Sequence, residues 1–121
     1  MEFARRYDPQ SIHTDPEAAA DGPFGGLIAS GWQTAALMMR LFADNYLTSV
    51  ASLASPGIDE LRWVRPLRPD DRLTLQCETT GVRRSRTKPD RGILTTDVTL
   101  VNQDGDPVLT ATAMNMVARR P

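Results

Sequence analysis

An α+β fold with an antiparallel sheet is predicted by a change of period midway along the chain. Up to residue 47 the apolar side chains recur at helical spacing, and from Ile58 they alternate with polar ones. The alternating stretches are joined by short, hairpin-type connections, which makes their sheet antiparallel. At 121 residues, 40% hydrophobic and 24% charged, the chain suits a single domain, 1–121, able to bury a core.

Phe3 and Tyr7 stand at i, i+4, which fits a helical turn or two ending before Pro9. Thr14-Asp15-Pro16-Glu17 carries a cap, a proline for the first turn and a glutamate three residues after Thr14. It opens a short helix running to Ala20. Asp21–Gly26, with three glycines and a proline, is a loop. Residues 30–47 form the strongest helix. Its polar positions, Gln33, Thr34, Arg40, Asp44 and Asn45, make one narrow stripe, so the helix is expected to be surrounded rather than docked on one face.

Ser55-Pro56-Gly57 is expected to end the helical half. Strands are then predicted over 58–64, stopped by Pro66, from Leu73 to about Arg84, around 94–100, and over 108–117. Arg68–Asp71 is a turn, 85–91 a polar loop, and Asp104-Gly105 a hairpin signal. Four or so strands after one very apolar helix suggest a sheet curled around that helix, the hotdog arrangement. So small a sheet leaves an edge open, and pairing with a second copy is the expected remedy, giving a homodimer.

Composition excludes several classes. A net charge of −1 argues against a surface built for nucleic acid or anionic lipid. Cys77 is the only cysteine, which rules out an intramolecular disulfide and a cysteine metal site; it is expected to be an inert buried filler. No run of eighteen apolar residues is present, and Met1–Arg6 lacks the apolar stretch of a secretory signal, so a cytoplasmic location is the default expectation.

The chemistry-bearing residues lie near the N-terminus. Asp8 and His13, the lone histidine, are five residues apart across a proline-stiffened turn. A carboxylate and an imidazole held together can move a proton between water and a substrate. Ser30-Gly31-Trp32 opens the long helix, where backbone N–H groups are free for a developing oxyanion. The same residues have plainer uses. Asp8-Pro9 can end one helix, Thr14-Asp15 can cap the next, Gly31 can allow tight packing, and Trp63 reads as a sheet-packing residue.

Several segments in combination resemble MaoC-like dehydratases and (R)-specific enoyl-CoA hydratases. They are Tyr7-Asp8-Pro9-Gln10, His13-Thr14-Asp15-Pro16, Phe24-Gly25-Gly26-Leu27-Ile28-Ala29-Ser30-Gly31-Trp32, Glu60-Leu61-Arg62-Trp63, Arg65-Pro66-Leu67-Arg68-Pro69, Ser85–Gly92 and Asn102-Gln103-Asp104-Gly105. The resemblance covers nearly the whole chain. It implies a hydro-lyase that reversibly adds water to a 2-enoyl thioester, giving (R)-3-hydroxyacyl-CoA. Asp8 and His13 match the family's catalytic acid and histidine, and Gly31 its oxyanion-hole glycine.

The resemblance further implies an acyl-CoA or acyl carrier protein thioester as substrate. No metal or redox cofactor is implied, and coenzyme A enters as part of the substrate. Phe24, Leu27, Ser30 and Trp32 are candidates for the substrate slot on position, and Arg86 and Lys88 for a coenzyme A phosphate. The family's usual strand before the first helix has no counterpart here; either the sequence is a shortened piece or the sheet lacks one edge strand. Some relatives carry a histidine before the oxyanion glycine and a serine one or two turns into the helix; Ser30 and Met39 stand at those positions. A hotdog thioesterase and a non-catalytic acyl-binding or assembly module are the alternatives.

Overall fold

The computed structural model describes residues 1–45, 52–84 and 91–118. Among these, helices α1 (Glu2–Tyr7), α2 (Ser11–Thr14), α3 (Pro16–Ala20) and α4 (Gly31–Asn45) precede strands β1 (Ser52–Trp63), β2 (Thr74–Arg84), β3 (Arg91–Val101) and β4 (Pro107–Ala118). The sheet has the order β1-β4-β3-β2 and every pairing is antiparallel. The β3–β4 hairpin turns where the sequence placed it. The Asn102 side-chain oxygen accepts the Asp104 and Asp106 N–H groups, and Gly105 takes φ +78°, a conformation that costs a glycine little.

β1 lies beyond β4, so the chain leaving Trp63 must cross the sheet to reach β2. That is three inter-strand gaps of about 4.8 Å each. The crossing segment, 64–73, starts on Val108, whose carbonyl accepts the Val64 N–H at 2.8 Å. It then passes the start of α4, where the Leu67 carbonyl accepts the Ala29 N–H at 2.8 Å. The topology therefore lays residues 64–67 beside the N-terminus of the long helix.

The core forms between α4 and one face of β3 and β4. Across that face the register pairs Leu100 with Leu109, Val98 with Ala111, Thr96 with Ala113 and Leu94 with Asn115, all buried. From the helix, Thr34, Met38 and Phe42 are buried at i, i+4 and i+8. Met38 and Phe42 pack against Val98, Leu100, Leu109, Ala111 and Ala113. Each fully buried large apolar side chain contributes about 1.5–3 kcal/mol.

Three expectations are corrected and one element is added. α4 is docked on one face within its own chain: Trp32, Leu37 and Met39 are exposed, and Thr34, expected on the polar stripe, faces inward. Ser55-Pro56-Gly57 does not precede the sheet but lies inside β1. β1 is an edge strand broken by register shifts, which tolerates a proline that a central strand would not. α2 is a one-turn helix between Pro9 and Asp15, too short for any apolar period to announce. Cys77 is exposed, because the apolar cluster reaches Leu73, just before β2, and Leu75 on it but stops short of Cys77. No described helix is long and apolar enough to cross a membrane.

Leu109 is fully buried at the centre of the helix–sheet contact. Leu109→Ala is expected to lower stability by about 2–5 kcal/mol, measured by urea denaturation. Val82→Ala, at an exposed β2 position, is expected to stay within about 0.5 kcal/mol.

Candidate active site

The acid and the imidazole are brought together by two consecutive chain reversals. α1 ends as the Asp8 N–H bonds the Ala4 carbonyl at 2.8 Å, and Pro9 then forbids continuation. The Gln10 N–H returns to the Asp8 carbonyl at 2.8 Å, and α2 begins with the His13 N–H on the Gln10 carbonyl at 2.9 Å. This compact path sets His13 Nε2 3.4 Å from Asp8 Oδ2.

His13 is buried, and its Nδ1 lies 2.9 Å from the Ile28 carbonyl. A carbonyl oxygen only accepts, so Nδ1 carries the hydrogen and Nε2 is the nitrogen turned to Asp8. The segment supplying that carbonyl is itself tied to α2 by the Ile28 N–H on the Ile12 carbonyl at 3.1 Å.

Asp8 accepts on both oxygens. Gln10 Nε2 donates to Oδ1 at 2.7 Å, and the Ser30 hydroxyl donates to Oδ2 at 2.7 Å. These bonds favour the charged form and hold the carboxyl below its ordinary value. Gln10 is the larger influence and Ser30 the next; burial opposes them, and the nearby His13 adds a smaller favourable effect. Asp8 is thus a carboxylate kept ionised, the state required of a base.

Ser30 also fixes the start of α4. Its hydroxyl oxygen accepts the Trp32 N–H at 3.3 Å, and its carbonyl accepts the Gln33 and Thr34 N–H groups at 3.0 and 3.1 Å. Of the first four amides of the helix, these account for three. Among the described residues nothing accepts the Gly31 N–H, which leaves one donor at the positive end of the helix dipole.

Asp8, His13, Gly31, Phe24 and Trp32 line one cavity of about 400 Å³, together with Ile28, Thr34, Trp63 and the crossing residues Val64–Leu67. Its walls are mostly apolar, with Asp8, His13 and Arg65 as the charged or titratable groups. Two other expected site residues sit differently. Leu27 lines a neighbouring cavity of about 270 Å³ with Met1, Gln33 and Pro69. Ser30 is fully buried behind the site, its hydroxyl spent on Asp8 and on the helix start rather than presented to a substrate. Arg86 and Lys88 lie outside the described residues. Met39, at the place where some relatives carry a serine, is exposed on α4.

Sequence reasoning missed Gln10, the Ile28 carbonyl and Trp63. Gln10 stands inside the motif that flagged Asp8, so its position was visible though its bond was not. Trp63 was read as sheet packing; instead its indole lies over Gly31, 32 positions away in the chain. Among the described residues, no three His, Cys, Asp or Glu side chains gather as a metal-binding group.

The chain is similar to several known proteins. A solved MaoC-like dehydratase from Rhodospirillum rubrum superposes with a TM-score of 0.90 at 42% identity, over 99% of this chain and 82% of that one. The (R)-hydratase of A. caviae involved in PHA biosynthesis gives 0.73 at 26% identity, over 98% and 83%. The 3-hydroxyacyl-thioester dehydratase Z of Mycobacterium tuberculosis is 40% identical over 76 residues, which is 62% of this chain and half the length of that enzyme. The fold is therefore the hotdog fold. The MaoC like domain model matches residues 1–102, a span holding Asp8, His13, the start of α4 and Trp63, and the chain belongs to that family.

Proposed function

We propose that the protein reversibly hydrates a 2-enoyl thioester, most simply 2-enoyl-CoA, to the (R)-3-hydroxyacyl thioester. One observation carries this reading: an ionised carboxylate, an imidazole 3.4 Å from it and an unclaimed helix-start amide border the same apolar-walled cavity. Membership of the family and the likeness to a 3-hydroxyacyl-thioester dehydratase support it. No metal or redox cofactor enters the scheme, and coenzyme A is part of the substrate.

In the proposed cycle the resting pair is the Asp8 carboxylate and the His13 imidazolium. A water that contacts both groups from the cavity side gives a proton to Asp8 as its oxygen bonds the β-carbon of the alkene. The π electrons move toward the thioester, whose oxygen takes on negative charge against the Gly31 N–H. The α-carbon then gains the Nε2 proton of His13. The pair finishes as carboxylic acid and neutral imidazole, and transfer of one proton across the short gap between them restores the start. Dehydration is the reverse path.

The same reading assigns the chain a second copy of itself as partner. β1 and β2 are open sheet edges, and Leu37 and Met39 are exposed apolar side chains on α4. An acyl carrier protein thioester would serve the same chemistry in place of the coenzyme A ester.

The direct assay is loss of crotonyl-CoA absorbance on adding the protein, with chiral analysis of the product; release of free thiol instead would indicate a thioesterase. Asp8→Asn is expected to lower hydration at least about a hundredfold, while sedimentation still reports a particle of twice the chain mass. Substantial retained turnover would remove Asp8 from the mechanism.

The depressed Asp8 carboxyl is charged above its own pKa, so the base and its contribution to folding are in place at neutral pH. Both are lost as pH falls through that value, below the ordinary carboxylate range. Gln10→Ala and Ser30→Ala each remove a bond to the charged form. Both are expected to move the acid limb of kcat/KM to higher pH, and Ser30→Ala should also cost about 0.5–2 kcal/mol by uncapping α4. An acid limb unmoved in both variants would contradict the assignment of Asp8 as base.

A further inference from the structure

The Cα side of Gly31 is closed by an indole. Trp63, the last residue of β1, donates its Nε1–H to the Gly31 carbonyl at 2.7 Å. A methyl group on Gly31 would meet that ring at 2.6 Å from Cε2, 2.7 Å from Nε1 and 2.9 Å from Cδ2, closer than real Cβ contacts come. Glycine is therefore required at 31 by the tryptophan itself, whatever a substrate also needs there. Trp32 stands edge-on to Trp63, with centroids 5.1 Å apart and planes at 81°, an arrangement aromatic pairs favour.

The two rings are 46% and 60% exposed, yet both line the cavity that holds Asp8 and His13. Trp63 is fixed in orientation although the chain does not cover it. Its single polar atom is already satisfied, so what it turns to the cavity is carbon. A pantetheine arm, with its amides, would gain no hydrogen bond from such a surface and would lose those it makes to water. A hydrocarbon chain suits it. We propose that Trp63 is a specificity-determining residue that walls the acyl slot beside Gly31 and selects short 2-enoyl groups over long ones. The proposal rests on the hydratase reading of the site. A locked wall discriminates by length more sharply than an adaptable one, because it cannot move aside for extra methylenes.

The test compares kcat/KM for crotonyl-CoA and trans-2-octenoyl-CoA in the wild type, Trp63→Ala and Trp63→Phe. The octenoyl-to-crotonyl ratio is expected to rise about tenfold or more in Trp63→Ala and by less in Trp63→Phe, which keeps a ring but loses the Nε1–H bond that holds it. An unchanged ratio, or an equal loss on both substrates, would overturn the proposal while leaving the hydratase reading intact. If the alanine variant fails to fold, Trp63→Leu is read in its place, with a smaller rise in the same direction.

If the wild type hydrates neither substrate, the hydratase reading fails by itself. The slot is then read by the Kd of butyryl-CoA against octanoyl-CoA, titrated calorimetrically, and a preference for butyryl-CoA that survives Trp63→Ala counts against the wall. Thermal unfolding supplies a readout free of activity. Gly31→Ala should lower the midpoint clearly in the wild type and little in the Trp63→Ala background; equal losses in both would show that Trp63 is not what Gly31 accommodates.

Discussion

The Ser30 hydroxyl joins the two halves of the site. Its proton goes to Asp8 Oδ2, its oxygen takes the Trp32 N–H, and the carbonyl of the same residue takes the next two amides of α4. Without that bond the acid-bearing turn after α1 and the start of α4 would be linked mainly through Ile28, which bonds α2 at its amide and His13 at its carbonyl. Because Ser30 is fully buried, water cannot substitute for it. One residue thus helps to hold the carboxylate charged, second to Gln10, and takes three of the four helix-start amides. Gly31 keeps a free donor because its three successors are satisfied by Ser30.

The topology explains why a helix start can be enclosed. Placing β1 beyond β4 obliges the chain to cross the sheet before β2, and the crossing carries Val64–Leu67 past α4, where they become cavity wall. It also leaves Trp63 at the corner, pressed on the glycine. Gly31 accordingly meets two demands at once: it borders the cavity, and its missing side chain makes room for an indole.

How much of this the sequence disclosed depends on the range of each interaction. The order of helices and strands, the β3–β4 hairpin and the cap before α3 are local and were readable from period, turn residues and spacing. Asp8 and His13 were readable because five residues and a proline confine them. α2 left no trace, since four residues cannot display a helical period. The Trp63–Gly31 contact joins positions with no shared pattern, and a tryptophan ending a strand looks the same whether it packs on a sheet or on a helix start. Ser30 was placed at the site but given to the substrate, because the sequence cannot tell which way a hydroxyl at a cap points. The composition of α4 announced how apolar the helix is, not how many of its faces its own chain covers. Arg86 and Lys88 fall outside the described residues.

The central claim is that a thioester oxygen finds the Gly31 amide while Asp8 and His13 border the same cavity. Amide NMR during titration with butyryl-CoA, a saturated ester that cannot react, tests it most directly. The account predicts a downfield shift of the Gly31 N–H larger than those of Gln33 and Thr34, whose hydrogens are already bonded to Ser30. A Gly31 resonance that stays in place at saturation, with the shifts concentrated elsewhere, would contradict it.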